Sequence, residues 1–143
     1  MKIIFLDIDG VLNNQFTAER FKIDDSYYVG IDKDLLQKLF LLQKNTDADI
    51  VISSSWRSSP PHLEEIKRNG IEFIGMTPDY GDIERRGEEI KEWLVKNPNV
   101  EKYAIIDDNQ WMLLEQIHNF FKTDSLYGLT DEIAENIKRY LLD

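Results

Sequence analysis

The sequence has no cysteine among its 143 residues. This absence excludes disulfide bonds, thiolate nucleophiles and zinc sites built on sulfur. It is compatible with a reducing compartment, and we expect a cytoplasmic protein. No apolar run approaches the roughly 18 residues that a membrane-spanning helix needs, so we expect no integral membrane protein. The first apolar run meets a carboxylate at Asp7, too early for the core of a signal peptide.

Basic residues are also scarce. The chain has 17 lysines and arginines against 27 aspartates and glutamates, and its formal charge is −10. Such a surface repels a polyanion at long range, so we expect no extended nucleic-acid-binding surface and no membrane association. A local basic pocket stays possible. The 42 % apolar and 31 % charged residues are typical of a soluble globular chain, and the length predicts one domain over residues 1–143.

Short apolar runs without polar alternation recur along the chain and are typical of strands covered on both faces, as in a parallel sheet. These runs are Lys2 to Leu6, Ile50 to Ile52, Ile71 to Ile74, Tyr103 to Ile106, and Phe120 with Phe121.

Helical patterns lie between the apolar runs. We expect helices after Asp32, after Ser59, after Gly87, from Trp111 to Ile117, and after Thr130. Alternating strands and helices predict an α/β fold, a three-layer α/β/α sandwich around a mostly parallel, Rossmann-like sheet. Residues 13–31 fit neither pattern, and we expect a β-hairpin or a partly ordered flap there. Tyr27 and Tyr28 in this segment could cover the active site or lie on an exposed hairpin.

Polar residues follow several of the predicted strands directly. Because ligands collect outside the carboxyl ends of strands in such sheets, we expect these side chains to converge at one edge. They are Asp7 and Asp9 after the first run, Ser53 to Ser55 after the second, Asp107 and Asp108 after the fourth, and the pair Arg85 and Arg86 before it.

Crowded carboxylates repel one another unless a cation or protons compensate their charge. The chain has no cysteine, and His62 and His118 lie away from these strand ends. Ligation by oxygen alone favours a hard ion, which makes Mg²⁺ the expected cofactor. A hydroxyl and an arginine beside the metal supply what a phosphate group needs for binding. The combination predicts phosphoryl transfer.

The segment from Ile3 to Asn13 closely resembles the first motif of the haloacid dehalogenase (HAD) superfamily of phosphohydrolases. Ser54 matches the second motif, Arg86 the basic third, and Ile105 to Asp108 the acidic fourth, in the family order. Three short stretches resemble a small branch without a cap, related to RNA-repair-associated HAD domains. They are residues 52–57, 86–90 and 128–130. The resemblance therefore implies a HAD-like domain without a large cap.

By this resemblance, Asp7 is expected to attack phosphorus and form an aspartyl-phosphate, and Asp9 to act as general acid and then as general base. Mg²⁺ is expected to be bound by Asp7, by the backbone carbonyl of Asp9 and by one of Asp107 and Asp108. Comparison with the commoner Gly-Asp form of the fourth motif favours Asp108.

The resemblance also implies that Ser54 binds a phosphoryl oxygen and that Arg86 neutralises the charge of the intermediate. The register within Ser53–Ser55 stays open, so any of these serines could bind the phosphate. The family more often has lysine in the third motif, and Arg85 or Lys91 could take this role instead.

Three further residues are candidates for substrate binding. Gly10 permits the tight turn after Asp9. Trp56 and Arg57 could line the pocket, with Trp56 either stacking on a base or packing beneath a loop. The expected substrate is a phosphorylated small molecule, a nucleotide or a polynucleotide end, because an open site tolerates bulky groups.

Two alternatives remain. A HAD-type dehalogenase is disfavoured because dehalogenases of the family lack the acid at Asp9. A receiver-like signalling domain that accepts phosphate also places aspartates and Mg²⁺ on an α/β sheet. Its acidic pair, however, follows the first strand, whereas Asp107 and Asp108 come late in this chain.

Overall fold

A computed structural model describes all residues, 1–143, and its elements alternate along the chain as the apolar pattern predicts. The strands are β1 (Lys2–Leu6), β2 (Arg20–Ile23), β3 (Ser26–Val29), β4 (Asp49–Ile52), β5 (Gly75–Met76), β6 (Lys102–Asp107) and β7 (Phe120–Lys122). The α-helices are α1 (Lys33–Thr46), α2 (Pro60–Arg68), α3 (Arg86–Lys96) and α4 (Asp131–Leu142). Short 3₁₀ helices lie at Ser55–Ser58, Ile83–Arg85 and Leu114–Asn119.

Five strands form one sheet in the order β5-β4-β1-β6-β7, and every neighbouring pair in it is parallel. One face packs against α1, α2 and α4 through a large apolar cluster that includes Ile4, Leu39 and Ile137. The other face packs against α3, where Phe5 and Ile90 belong to a smaller cluster. The predicted three-layer α/β fold with a mostly parallel sheet is therefore confirmed.

The predicted helix starts at Asp32 and Thr130 are confirmed by capping geometry. The Asp32 carboxylate accepts hydrogen bonds from the backbone N–H groups of Asp34 and Leu35. The Thr130 hydroxyl accepts one from the N–H of Ile133. Each side chain satisfies N–H groups that the first turn of a helix leaves without a partner. None of the helices has the length and apolar composition needed to cross a bilayer.

Two predicted elements differ from the structure. The run Ile71 to Ile74 is not a strand; Ile71 packs into the core, and pairing begins only where the Ile74 N–H donates to Ile50. The predicted helix from Trp111 to Ile117 is a 3₁₀ helix over Leu114–Asn119. Here the buried Gln116 side chain bonds the backbone of Leu113 and Gly87, which ties the segment to α3.

Between β1 and α1 the chain forms the antiparallel hairpin β2–β3 instead of a cap domain. Phe21 anchors the hairpin in the larger apolar cluster. Tyr27 and Tyr28 are 70 % and 43 % exposed, and as neighbours on one strand they point to opposite faces. The hairpin therefore lies beside the carboxyl end of β1 and presents one tyrosine on each of its faces.

Candidate active site

The parallel register continues beyond the strand ends and aligns polar residues in one row. The Asp7 N–H donates to Ile106, and the Ser53 N–H donates to Leu6. Residues in register on parallel strands project from the same face. Asp7, Ser53 and Asp107 therefore share the face that α3 covers, at the edge where the sequence predicts the site.

Three carboxylates meet at this edge of the sheet. Asp7, Asp107 and Asp108 each offer a carboxylate oxygen, and these oxygens lie within 4.8 Å of one another. Nη1 of Arg86, at the first residue of α3, lies 2.9 Å from Oδ2 of Asp107 and 3.3 Å from Oδ1 of Asp7. Arg86 is only 4 % exposed, so these charges interact in a poorly hydrated environment.

Burial dominates the electrostatics of the cluster. Burial and the neighbouring Asp107 raise the pKa of Asp7 well above its usual range, although Arg86 opposes them. Burial likewise raises the pKa of Asp108. Burial lowers the pKa of Arg86, but Asp7 and Asp107 outweigh it, and the net pKa is raised. One arginine does not balance three carboxylates, so the cluster favours an additional cation.

Three buried polar atoms near this edge have no hydrogen-bond partner: Oγ of Ser53, Oγ1 of Thr77 and Nε of Arg86. A buried polar group without a partner is costly unless a ligand or water satisfies it. Two of these atoms, on Ser53 and Arg86, can donate to a phosphoryl oxygen. An all-oxygen carboxylate set beside such donors fits a hard divalent ion together with a phosphate group.

The three adjacent serines differ in their surroundings. Ser53 is fully buried, lies in register with Asp7 and has the free hydroxyl. The Ser54 hydroxyl accepts a hydrogen bond from the Trp56 N–H and caps a 3₁₀ helix. Ser55 is exposed and lines a cavity of about 250 Å³ next to Arg86. Of the three serines, only Ser53 has a free hydroxyl in register with Asp7, whereas the hydroxyl of the predicted Ser54 is engaged by Trp56.

Arg85 and Lys91, the alternatives to Arg86, do not contact the carboxylate cluster. Arg85 is exposed, pairs with Glu88 at 2.5 Å and lies over the ring of Tyr80. Lys91 forms an exposed ion pair with Glu115. Of the three basic candidates in this segment, only Arg86 contacts the carboxylate cluster.

Asp9 is separate from the carboxylate cluster and is exposed to solvent. Its Oδ1 accepts a hydrogen bond from Nδ2 of Asn13 at 2.9 Å, and its Oδ2 accepts one from Nε1 of Trp56 at 3.0 Å. Two neutral donors thus hold the carboxylate in one orientation. Trp56 is only 4 % exposed and packs against Phe21 and His62, so its ring is not open to stack on a base.

Gly10 turns the chain between Asp9 and the rest of the first motif. It has a φ of +79°, and a Cβ atom there would lie 2.3 Å from Oδ2 of Asp108. The Gly10 N–H donates to Asn13, and its carbonyl accepts from the Thr123 hydroxyl. Glycine is therefore required by both the backbone conformation and the close approach of Asp108.

Arg57 lines the cavity of about 250 Å³ beside Arg86, as predicted, but its donors face the protein. Its five N–H groups face four backbone carbonyls and one carboxylate. The acceptors are the carbonyls of Ser53, Ser54, Thr77 and Pro78, and the side chain of Glu89. The Arg57–Glu89 pair is buried, with an Nη2–Oε1 distance of 3.1 Å. Glu89 lies one turn after Arg86 on α3, and Arg57 follows β4. The Arg57–Glu89 pair therefore holds the start of α3, and Arg86 with it, against the end of β4.

Sequence reasoning overlooked three residues of this arrangement. Asn13 lies inside the recognised first motif, and Glu89 inside the third, but neither was assigned a contact. Thr77 follows a two-residue strand that no periodicity reveals. Nothing in the sequence indicates that Asn13 reaches Asp9 or that Glu89 meets Arg57, because both contacts depend on the folded chain.

The family described as the HAD domain in Swiss Army Knife RNA repair proteins matches residues 3–134, nearly the whole chain. Comparison with curated proteins gave no match, and neither did comparison with solved structures. The match covers all four motifs and the strands that carry them. The chain therefore belongs to the family of HAD domains found in Swiss Army Knife RNA repair proteins.

Proposed function

We propose that the protein is a Mg²⁺-dependent phosphomonoesterase that works through an aspartyl-phosphate on Asp7. The family supports a hydrolase of the phosphohydrolase type. The observation that carries the finer proposal is the position of Asp7, within 3.3 Å of Arg86 and grouped with Asp107 and Asp108. A carboxylate nucleophile, a guanidinium and a carboxylate cluster that suits a cation are the parts that this chemistry requires.

Asp7 and Asp108 are the side chains best placed to bind Mg²⁺. Asp107 uses Oδ2 for Arg86 and Oδ1 for the N–H of Asn109, so it is the less available ligand. The backbone carbonyl of Asp9 would complete the set of protein ligands. When bound, the ion would offset the negative charge of the carboxylates and of the phosphoryl oxygens.

The reaction then divides into two displacements. A carboxylate oxygen of Asp7 bonds to phosphorus while the bond from phosphorus to the ester oxygen breaks, and Asp9 protonates the departing oxygen. Asp9 next accepts a proton from water, the water oxygen bonds to phosphorus, and the Asp7–phosphorus bond breaks. Arg86 and the Ser53 hydroxyl bind the phosphoryl oxygens in both steps. Inorganic phosphate and an alcohol are the products.

Phosphate release measured with and without Mg²⁺ tests this proposal. With 4-nitrophenyl phosphate, nucleotides, phosphosugars and phosphorylated oligonucleotides as substrates, we expect turnover that EDTA abolishes and that added Mg²⁺ restores. Halide release from a haloacid without Mg²⁺ would favour the dehalogenase alternative. A stable phosphorylated protein that releases no phosphate would favour the receiver alternative.

The substrate we propose is a phosphorylated polynucleotide end, because the family occurs in RNA repair proteins. With a net charge of −10, the protein lacks the broad electrostatic attraction on which extended polynucleotide binding depends. Recognition is therefore confined to the end of the strand. The exposed position of Asp9 and the absence of a cap leave room for a polymer to extend into solvent.

The hydrogen bond from Trp56 to Asp9 gives a prediction about leaving groups. The Trp56→Phe variant keeps an aromatic ring but loses the donor that orients Asp9. We expect kcat/KM for glycerol 2-phosphate, whose alkoxide must be protonated as it leaves, to fall roughly ten-fold, because a hydrogen bond to a charged group is lost. We expect kcat/KM for 4-nitrophenyl phosphate, which has a good leaving group, to change by less than about two-fold. We compare kcat/KM because it reports departure of the leaving group, whereas kcat also includes the later attack of water, which Asp9 assists for both substrates.

Trp111→Phe is the matched control, because Trp111 makes no contact with Asp9 and is partly exposed. It should leave both substrates unaffected. Equal losses on both substrates in Trp56→Phe would show that Trp56 only supports the fold.

A further inference from the structure

The largest of the three cavities that adjoin the site lies beside Asp9 instead of Arg86. It measures about 490 Å³ and is lined by Asp9, Asp108, Trp56, His62 and the exposed hairpin residue Tyr28, among others. The cavity of about 250 Å³ beside Arg86 has a separate lining. Because Asp9 is the proposed proton donor to the departing oxygen, the largest cavity is the place for the leaving group.

The charge of this cavity restricts what it can bind. No lysine or arginine lines it, whereas the carboxylates of Asp9 and Asp108 do. A leaving group with its own negative charge would find no basic partner there and would be repelled by these carboxylates. The cavity therefore suits an uncharged group.

The aromatic wall of the cavity suits a planar group. Tyr28 packs against Phe21 with ring centroids 6.0 Å apart, and Phe21 packs against Trp56 at 5.4 Å. His62 contacts all three rings edge-on, with centroid distances between 4.9 and 5.8 Å, and its Nδ1 is 2.7 Å from the Ser59 hydroxyl. Tyr28 is thus fixed by its neighbours while 43 % of it stays exposed. A fixed, half-exposed ring can stack on a nucleobase with little loss of conformational entropy.

On the basis of the proposed phosphatase function, we infer that this cavity binds the terminal nucleoside of the substrate, with its base stacked against Tyr28. A nucleoside is uncharged and planar, and the cavity lies within the usual size range of small-ligand sites. The adjoining cavity of about 420 Å³, which shares Asp108 and Ser125 with this one, adds a single lysine, Lys122, so there is room for one nucleoside but no basic track for a run of further phosphates. The protein therefore distinguishes an end nucleotide from other phosphate esters by its base and not by a run of backbone phosphates.

The hairpin supplies a matched pair of variants for the test. Tyr28 lines the cavity, whereas its neighbour Tyr27 lies on the other face of the strand, where Lys22 is 5.7 Å from its ring. For Tyr28→Ala, we expect kcat/KM for nucleoside 3′-monophosphates to fall about ten-fold, the loss typical of one base stack. We expect kcat/KM for glycerol 2-phosphate to change by less than about two-fold. Tyr28→Phe should retain the nucleotide activity, and Tyr27→Ala should resemble the wild type on both substrates.

The possible outcomes separate the two proposals. Wild-type protein that hydrolyses no phosphate ester with Mg²⁺ refutes the phosphatase itself. Active wild-type protein with Tyr28→Ala unaffected on nucleotides, or equally impaired on glycerol 2-phosphate, refutes only the nucleoside site. A larger loss on a phosphotyrosine peptide than on nucleotides would assign the cavity to a peptide. Thermal unfolding midpoints of the Tyr27 and Tyr28 variants show whether each is folded.

Discussion

Replacing Asp7 by asparagine should reduce Mg²⁺-dependent phosphate release by at least about 10⁴-fold, the scale on which enzymes lose activity when their nucleophile is removed. The amide has nearly the shape of the carboxylate but cannot form the aspartyl-phosphate. We expect the variant to fold, because the change also removes repulsion between Asp7 and its acidic neighbours, the repulsion that helps raise the pKa of Asp7. Phosphate release and thermal unfolding, measured on the same preparation, test both expectations.

Asp47→Asn is a control for the same chemical change. Asp47 ends α1 in a left-handed conformation that asparagine tolerates, and it precedes the amino end of β4, away from the site. This variant should keep wild-type activity. Substantial activity in Asp7→Asn, beyond what contamination or deamidation explains, would require a different nucleophile.

Removing the charge of Arg86 should have the largest effect on stability. In Arg86→Met, the buried carboxylates of Asp7 and Asp107 lose the cation that lies within 3.3 Å of both. Breaking such a buried pair costs about 3–5 kcal/mol of unfolding free energy. Urea unfolding in EDTA measures this loss. Activity should also fall by at least about 10²-fold, because a group that stabilises phosphoryl charge is missing.

Two further variants identify the cause of the Arg86 effect. The adjacent Arg85→Met removes an exposed arginine whose ion pair with Glu88 is screened by solvent, so the stability of this variant should stay near that of the wild type. Adding Asp7→Asn to Arg86→Met should recover part of the lost stability, because one of the unpaired charges is gone. Additive losses in the double variant would show that Arg86 stabilises the protein through packing instead of charge.

The sequence was sufficient to predict the sheet and the edge where the site lies. Buried strands such as Lys2–Leu6 are continuous apolar runs, and an aspartate directly after such a run must lie at the carboxyl end of the sheet. The sequence was not sufficient to predict β5, because two residues are too few to show a pattern of alternating hydrophobicity. Nor does it distinguish Ser53 from Ser54, since that choice depends on the register between β4 and β1.

Side-chain contacts between residues far apart in the sequence could not be predicted either. Trp56 is 47 residues from Asp9, and its indole could equally have faced solvent or a base. Arg57 was a reasonable candidate for substrate binding by its position, but its donors are directed to carbonyls and Glu89 by the path of the chain after β5. Such partners depend on how loops from different strands meet, which local patterns do not encode.

The close packing of Gly10 against Asp108 has a consequence for the fate of the phosphoryl group. The Thr123 hydroxyl bonds the Gly10 carbonyl, the Asp108 side chain leaves no room for a larger residue at Gly10, and no cap covers the loop that carries Asp9. The proposed acid, Asp9, is thus held in place beside solvent, although Asp7 and Arg86 are buried. Transfer to an acceptor other than water would need a closed compartment to keep water away, and this architecture provides none. Under the proposed mechanism, we therefore expect transfer of the phosphoryl group to water instead of transfer to another acceptor.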